Sequence, residues 1–171
     1  LRALGEREAA LAAQARGVAL DPASPWAHLT SAELLRELGR LEDALRAARR
    51  AQELDEDDRP GLVEESRVLR HMARLPEAAT AARRALAIDR RQPPAIAALA
   101  HVQAATGDLA AALVAFDHAL GLLPTLAEAH AGRGATLVAL GRHPEALEAL
   151  ARAIALDEAD HHPHAVRAEL H

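Results

Sequence analysis

Cysteine, lysine, asparagine and tyrosine are absent from this chain of 171 residues, and Trp26 and Phe116 are its only aromatics besides histidine. Without cysteine there is neither a disulfide nor a thiolate metal site, and the redox compartment leaves no trace in the sequence. All twenty basic residues are arginine, which together with the other absences points to a GC-rich, bacterial coding sequence. The shortage of aromatic and β-branched residues removes the ordinary strand formers. No apolar run approaches the ~18 residues that a membrane-spanning helix requires, so membrane insertion is not expected. A formal net charge of −5 offers no footprint for nucleic acid. No signal-peptide pattern opens the chain, whose start reads as internal, so localisation stays unknown with a cytoplasmic setting favoured.

What fills the chain instead is alanine and leucine. Half of the residues are hydrophobic and 26% are charged, a balance that supports a folded core and lies outside the range of disorder. Alanine and leucine are strong helix formers, so the expected fold class is all-α.

A 34-residue period runs through the sequence. Asp21, Asp55, Asp89 and Asp157 share one register, with Leu123 in the remaining slot. Ala10, Ala44, Ala78, Ala112 and Ala146 keep the same step, as do Gly17, Ala51, Ala85, Ala119 and Ala153. Gly5, Gly39, Gly107 and Gly141 form a further series, with Ala73 in the remaining position. Such self-similarity marks units that cannot bury their own apolar face and must stack on neighbours.

Each period reads as two helices. Ser24-Pro25 is a helix start, with serine as the cap and proline at the first helical position, where its missing N–H costs nothing. Leu29, Ala32, Leu35 and Leu38 recur at helical spacing, and Gly39 is placed to end the helix in a left-handed turn. Glu42-Asp43 puts acid at the next helix N-terminus. Ala44, Leu45, Ala48, Ala51 and Leu54 form the second apolar face. Thr125 with Glu128 reads as a capping box, and Gly107-Asp108 as a turn. Helices of about 13 residues are marginal alone in water, so their stability must come from stacking.

Catalytic patterns are missing. There is no Gly-rich phosphate loop, no His-Glu-x-x-His and no acidic calcium loop, and the few serines have no partnered base. His161, His162 and His164 flank Pro163 without a fourth ligand, so a solvated loop is the better reading than a metal site. His28 and His130 occupy a helix-packing slot, where a hydrogen-bonded, half-buried imidazole is expected. The acidic run Glu53–Asp58 reads as a solvated turn. No catalytic residue, metal or cofactor is expected.

These residues resemble the tetratricopeptide (TPR) repeat, a 34-residue helix–turn–helix unit. Ala44, Ala78, Ala112 and Ala146 fill its first small position in the second helix, and Phe116 and Leu150 its aromatic slot. Leu20-Asp21-Pro22 reproduces the ending, which persists as Leu54-Asp55, Ile88-Asp89 and Leu156-Asp157. In the first helix, Ala32, Ser66, Ala100 and Gly134 fill the small slot, while Ser31, Glu65 and Arg133 are polar where leucine is usual. The resemblance implies a right-handed α-solenoid of antiparallel helix pairs. It divides the chain into a partial repeat at 1–24, repeats at 25–58, 59–92, 93–126 and 127–160, and a truncated first helix at 161–171. Leu1 is in phase with Leu35 and His171 with Leu137, so both ends are expected within helices, as in a segment of a longer protein.

Proteins of this family bind ligands in the concave groove lined by first helices. Carried over by register, that groove has polar layers containing Glu33, Arg36, Glu37, Arg67, Arg70 and His71. Its later layers contain His101, Ala104, Ala135 and Val138. Arg67, Arg70 and His71 share one helical face, with His101 expected beside Arg67, a seat for a carboxylate. The arginines could equally pair with Glu33 and Glu37. The Lys/Asn clamp of co-chaperone members is replaced by Leu29, Glu33, Glu64, Pro94 and Ala98. The resemblance thus implies a non-catalytic scaffold that binds a protein or peptide segment. Two alternatives are the recognition arm of a larger bacterial glycosyltransferase or sulfotransferase, and self-association through uncapped ends.

Overall fold

The structure is a computed structural model that describes residues 2–55 and 57–156, with side chains from Glu8 onward. These residues form nine α-helices and no strand. They are α1 (Arg2–Leu20), α2 (Pro25–Glu37), α3 (Leu41–Leu54), α4 (Arg59–His71), α5 (Leu75–Ile88), α6 (Pro93–Ala105), α7 (Leu109–Leu122), α8 (Ala127–Ala139) and α9 (His143–Leu156). First helices start at 25, 59, 93 and 127 and second helices at 41, 75, 109 and 143, so the 34-residue step is kept to the residue. Asp157, the histidines around Pro163 and the truncated helix at 161–171 lie outside the described residues.

Local chemistry sets the boundaries. Gly39, Gly107 and Gly141 adopt φ of 74°, 89° and 73° between paired helices, and Ala73 adopts 58° in the same slot. Gly5 shares the register, yet α1 runs through it as continuous helix. The recurring aspartate closes the turn between repeats. Asp21, Asp55 and Asp89 accept, through Oδ1, the backbone N–H two residues on, at 3.2, 3.1 and 2.9 Å, the Asx turn that this short side chain favours. Ser24 caps α2 by accepting from Ala27 N–H at 3.3 Å, and Asp108 caps α7 through Ala111 N–H at 3.2 Å.

Two local expectations need correction. The N-cap of α8 is Leu126 with no side-chain bond, and Thr125 stands exposed one residue too early to cap it. Asp58 is not a solvated end of the acidic run. It is 7% exposed and caps α4 by accepting from Gly61 N–H at 2.9 Å.

The chain divides into two compact units, Leu1–Ile88 with α1–α5 and Asp89–His171 with α6–α9. In the first, α1 packs on α2, α2 on α3, α3 on α4 and α4 on α5; in the second, α6, α7, α8 and α9 follow the same succession. The alanine series forms the seams: Ala44, Ala78, Ala112 and Ala146 are fully buried, as are Ala51, Ala85 and Ala119. A methyl is the largest group that admits helix backbones this close. Around the seams the larger buried side chains are Leu62 and Leu69 in one unit, and Phe116, Leu137 and Leu150 in the other. Each contributes about 1.5–3 kcal/mol through apolar burial.

First helices also meet one another within a unit. α2 approaches α4 and α6 approaches α8, whereas no Cα of α3 comes within 8 Å of α1 or α5, nor of α7 within 8 Å of α9, among the described residues. Small residues explain the close side: a Cβ on Gly132 would lie 2.4 Å from Phe116 Cζ and 2.6 Å from His101 Cε1. Each unit is thus tight along its first helices and splayed along its second.

Candidate functional site

The first-helix side of the Leu1–Ile88 unit carries a charged network across α2 and α4. At its centre is Glu64, whose side chain is fully buried. Arg36 on α2 donates from Nε to Glu64 Oε1 at 2.6 Å, and Arg67, one turn along α4, donates from Nη1 to Oε2 at 3.4 Å. A carboxylate removed from water is tolerated when its oxygens are occupied by charged donors. Glu33, half-buried beside this network, has its pKa raised, first by burial and then by the Glu64 charge, against the opposing pull of Arg67 and Arg36. Arg70 lies 3.2 Å through Nη2 from His71 Nε2, and Glu37 and His71 are exposed.

Glu33, Arg36 and Arg67 therefore meet around Glu64, the member that sequence reasoning left out of the set, while Glu37 lies on α2 and Arg70 and His71 on α4. Glu64 takes Arg36 and Arg67, rather than Glu33 or Glu37 alone acting as the arginine partners. Its signal was the Glu64–Arg67 spacing of one helical turn. The contribution of Arg36, 28 positions earlier, has no local signature.

In the Asp89–His171 unit, His101 sits on α6 with its ring edge-on to Phe116, centroids 4.9 Å apart at 77°. Its Nε2 is 3.7 Å from Glu128 Oε1 on α8. The imidazole is thus held among α6, α7 and α8 of its own unit. Ala104, Ala135 and Val138 are half-buried, and Val138 packs against the cluster of Leu137, Ala146 and Ala149.

Two of the three polar residues in leucine slots, Glu65 and Arg133, are paired across repeats. Glu65, 5% exposed, accepts from Arg49 Nε at 2.8 Å and from Gln52 Nε2 at 3.0 Å. Arg133 donates to Asp117 Oδ1 at 2.7 Å. Since 49 and 117, like 65 and 133, are two periods apart, these are one structural pair with the charges exchanged. His28 and His130, three periods apart, each lie 2.9 Å through Nε2 from a proline carbonyl, Pro22 and Pro124, as the packing-slot reading requires. Among the described residues no group of three or more metal-ligating side chains converges. None of the described helices is long and apolar enough to cross a membrane.

Helix pairs with this period and these seams are the architecture of helical-repeat proteins. Residues 27–58 match the tetratricopeptide repeat family model, and the described helices have an all-α, solenoid-type fold. The chain is similar to TTC0263, a thermophilic TPR protein of Thermus thermophilus, at 23% identity, with 99% of this chain and 93% of that one covered and a TM-score of 0.85. It is also similar to MamA, at 20% identity, 92% of each chain and a TM-score of 0.62. A third is YrrB, a TPR protein with an unusual peptide-binding site, at 20% identity, 98% of this chain, 87% of that one and a TM-score of 0.57. No curated protein sequence matches the chain.

Proposed function

We propose that the protein is a non-catalytic interaction scaffold that binds a protein or peptide segment along its first helices. The observation that carries this reading is the buried Glu64, which holds the Arg36 and Arg67 guanidiniums on the α2–α4 side. Each guanidinium is a planar fork of N–H donors suited to carboxylate recognition, and the bond to Glu64 fixes its position between α2 and α4. Arg70 and His71 extend this polar layer. Taken by itself, the other unit carries the small apolar residues Ala104, Ala135 and Val138 on its own first helices. The peptide-binding property of YrrB, a protein of similar fold, is in keeping with this reading.

The test compares two baits in lysate of the source organism: the parent chain and an Arg67→Gln/Arg70→Glu variant. Glutamine at 67 leaves Glu64 with its Arg36 bond, so a melting curve should confirm that the variant folds. A protein retained by the parent and lost by the variant, then titrated with purified components, supports the scaffold. Equal retention by both baits, or none by either, counts against it.

A further inference from the structure

A second candidate site lies on the opposite, second-helix side of the Leu1–Ile88 unit. Because second helices splay, a cleft opens over each intervening first helix. The cleft over α4, between α3 and α5, measures about 230 Å³ and is lined by the Arg49–Glu65 pair, with Arg84 Nη1 3.9 Å from the same carboxylate. The cleft over α2, between α1 and α3, measures about 560 Å³. The register explains the difference. Ala15 and Ser31 stand one period before Arg49 and Glu65, so the plug is reduced to a methyl and a hydroxyl, and the hydroxyl turns back to Ala27 O at 2.8 Å.

The emptied cleft has a definite chemistry. Its α1 wall is apolar, with Leu11, Ala15 and Val18; its α2 floor carries His28, Ser31 and Leu35; and its α3 wall presents Arg40, Arg46 and Arg50. Their counterparts one period on are Arg74, Thr80 and Arg84, so the wall gains a cation where the plug is lost. Asp43 bonds both Arg40 and Arg46, and Arg50 bonds Glu53. Three guanidiniums thus face two carboxylates. Their side chains are 51%, 73% and 49% exposed, so these ion pairs are worth at most about 1 kcal/mol each and exchange readily. Apolar volume of this size beneath surplus, solvent-accessible guanidiniums is the shape and charge of a side-chain receptor.

We propose that the α1–α3 cleft seats an acidic peptide segment of a partner protein, one apolar side chain entering over Ala15 and flanking carboxylates taking Arg46 and Arg50. The proposal is independent of the first-helix reading, since it uses the other side of the unit and different residues.

The decisive variant is Ala15→Arg/Ser31→Glu, which rebuilds in this cleft the plug that nature uses in the next. The probe is the blocked tripeptide Glu-Phe-Glu, with Lys-Phe-Lys as its charge-reversed counterpart, titrated against the full chain by amide NMR. The acidic tripeptide should shift Ala15, Ser31 and Ala47 saturably. Its affinity should fall by about tenfold or more in the plugged variant, the loss expected when charge-assisted hydrogen bonds and apolar contact disappear together. No shift at these residues, equal affinity in the plugged variant, or equal affinity for the lysine peptide would overturn the proposal. So would saturation by decanoate without binding of the tripeptide, or dimerisation of the chain that the plug abolishes. If the plugged variant melts early, Arg46→Glu/Arg50→Glu tests the rim alone, and unchanged affinity there is equally fatal.

Discussion

Ala73 is the residue at which the repeat's own grammar is broken. Three of the four intra-repeat turns place glycine at positive φ, and Ala73 adopts φ 58° in the fourth. The left-handed region costs an L-residue about 1–2 kcal/mol, so Ala73→Gly should stabilise the protein by about 1 kcal/mol, read as a higher urea midpoint. The reverse change at Gly107 should cost a similar amount. Asp58 is the second such residue. Asp58→Ala removes a buried cap and should destabilise by about 0.5–2 kcal/mol, whereas Asp58→Asn keeps an oxygen for Gly61 N–H and should not. Gly61 is required here because a Cβ would fall 2.0 Å from Asp58 Oδ2.

At the scale of helix pairs, the exchanged ion pairs act as a natural charge-swap experiment. Arg49→Asp would set a second carboxylate against the buried Glu65, and should destabilise by about 1–3 kcal/mol. Adding Glu65→Arg should recover most of that loss, because Asp117–Arg133 already occupies the same geometry in the opposite polarity. A double-mutant cycle from thermal melts measures the coupling. The repeat shows the same interchange at second-helix starts. Arg40, Arg74 and Arg142 precede Asp43, Glu77 and Glu145 by three residues and bond them. Where Asp108 takes the arginine slot it caps the helix directly, and Ala111 stands in the acid slot. Close approach of first helices is a further element-scale constraint. Gly132→Ala should cost about 1–3 kcal/mol by forcing α8 from Phe116 and His101.

Across the whole molecule, two groups of carboxylates pull the pH dependence in opposite senses. Asp58 and Glu33 have raised pKa values, in both cases chiefly through burial. The folded chain binds their protons more tightly than the unfolded chain, so these two groups add stability as pH falls from neutral towards their ordinary values of 3.8 and 4.5. Asp43, Glu77 and Glu145 have lowered values, first through hydrogen bonds from Arg40, Arg74 and Arg142. Their contribution is lost only as pH drops below the ordinary carboxylate range. A Glu33→Gln/Asp58→Asn variant should therefore be favoured over the parent most at neutral pH, and its lead in melting temperature should shrink on mild acidification. Stacked repeats contact only neighbours, so Ala73→Gly and Gly132→Ala, in separate units, should be additive within about 0.5 kcal/mol.

The period, the helix starts, the glycine turns and the alanine seams were legible in the sequence because each rests on local dihedral chemistry or on side-chain size repeated every 34 residues. Face-sharing of Arg67, Arg70 and His71 was legible for the same reason, since one helix sets it. The partners of those residues were not. Glu64 meets Arg36 across 28 positions, His101 turns onto Phe116 and Glu128, and the Ala15–Ser31 cleft exists only because second helices splay where first helices touch. Such contacts depend on distances between helices that no single segment encodes, and they were decided by the tertiary stack.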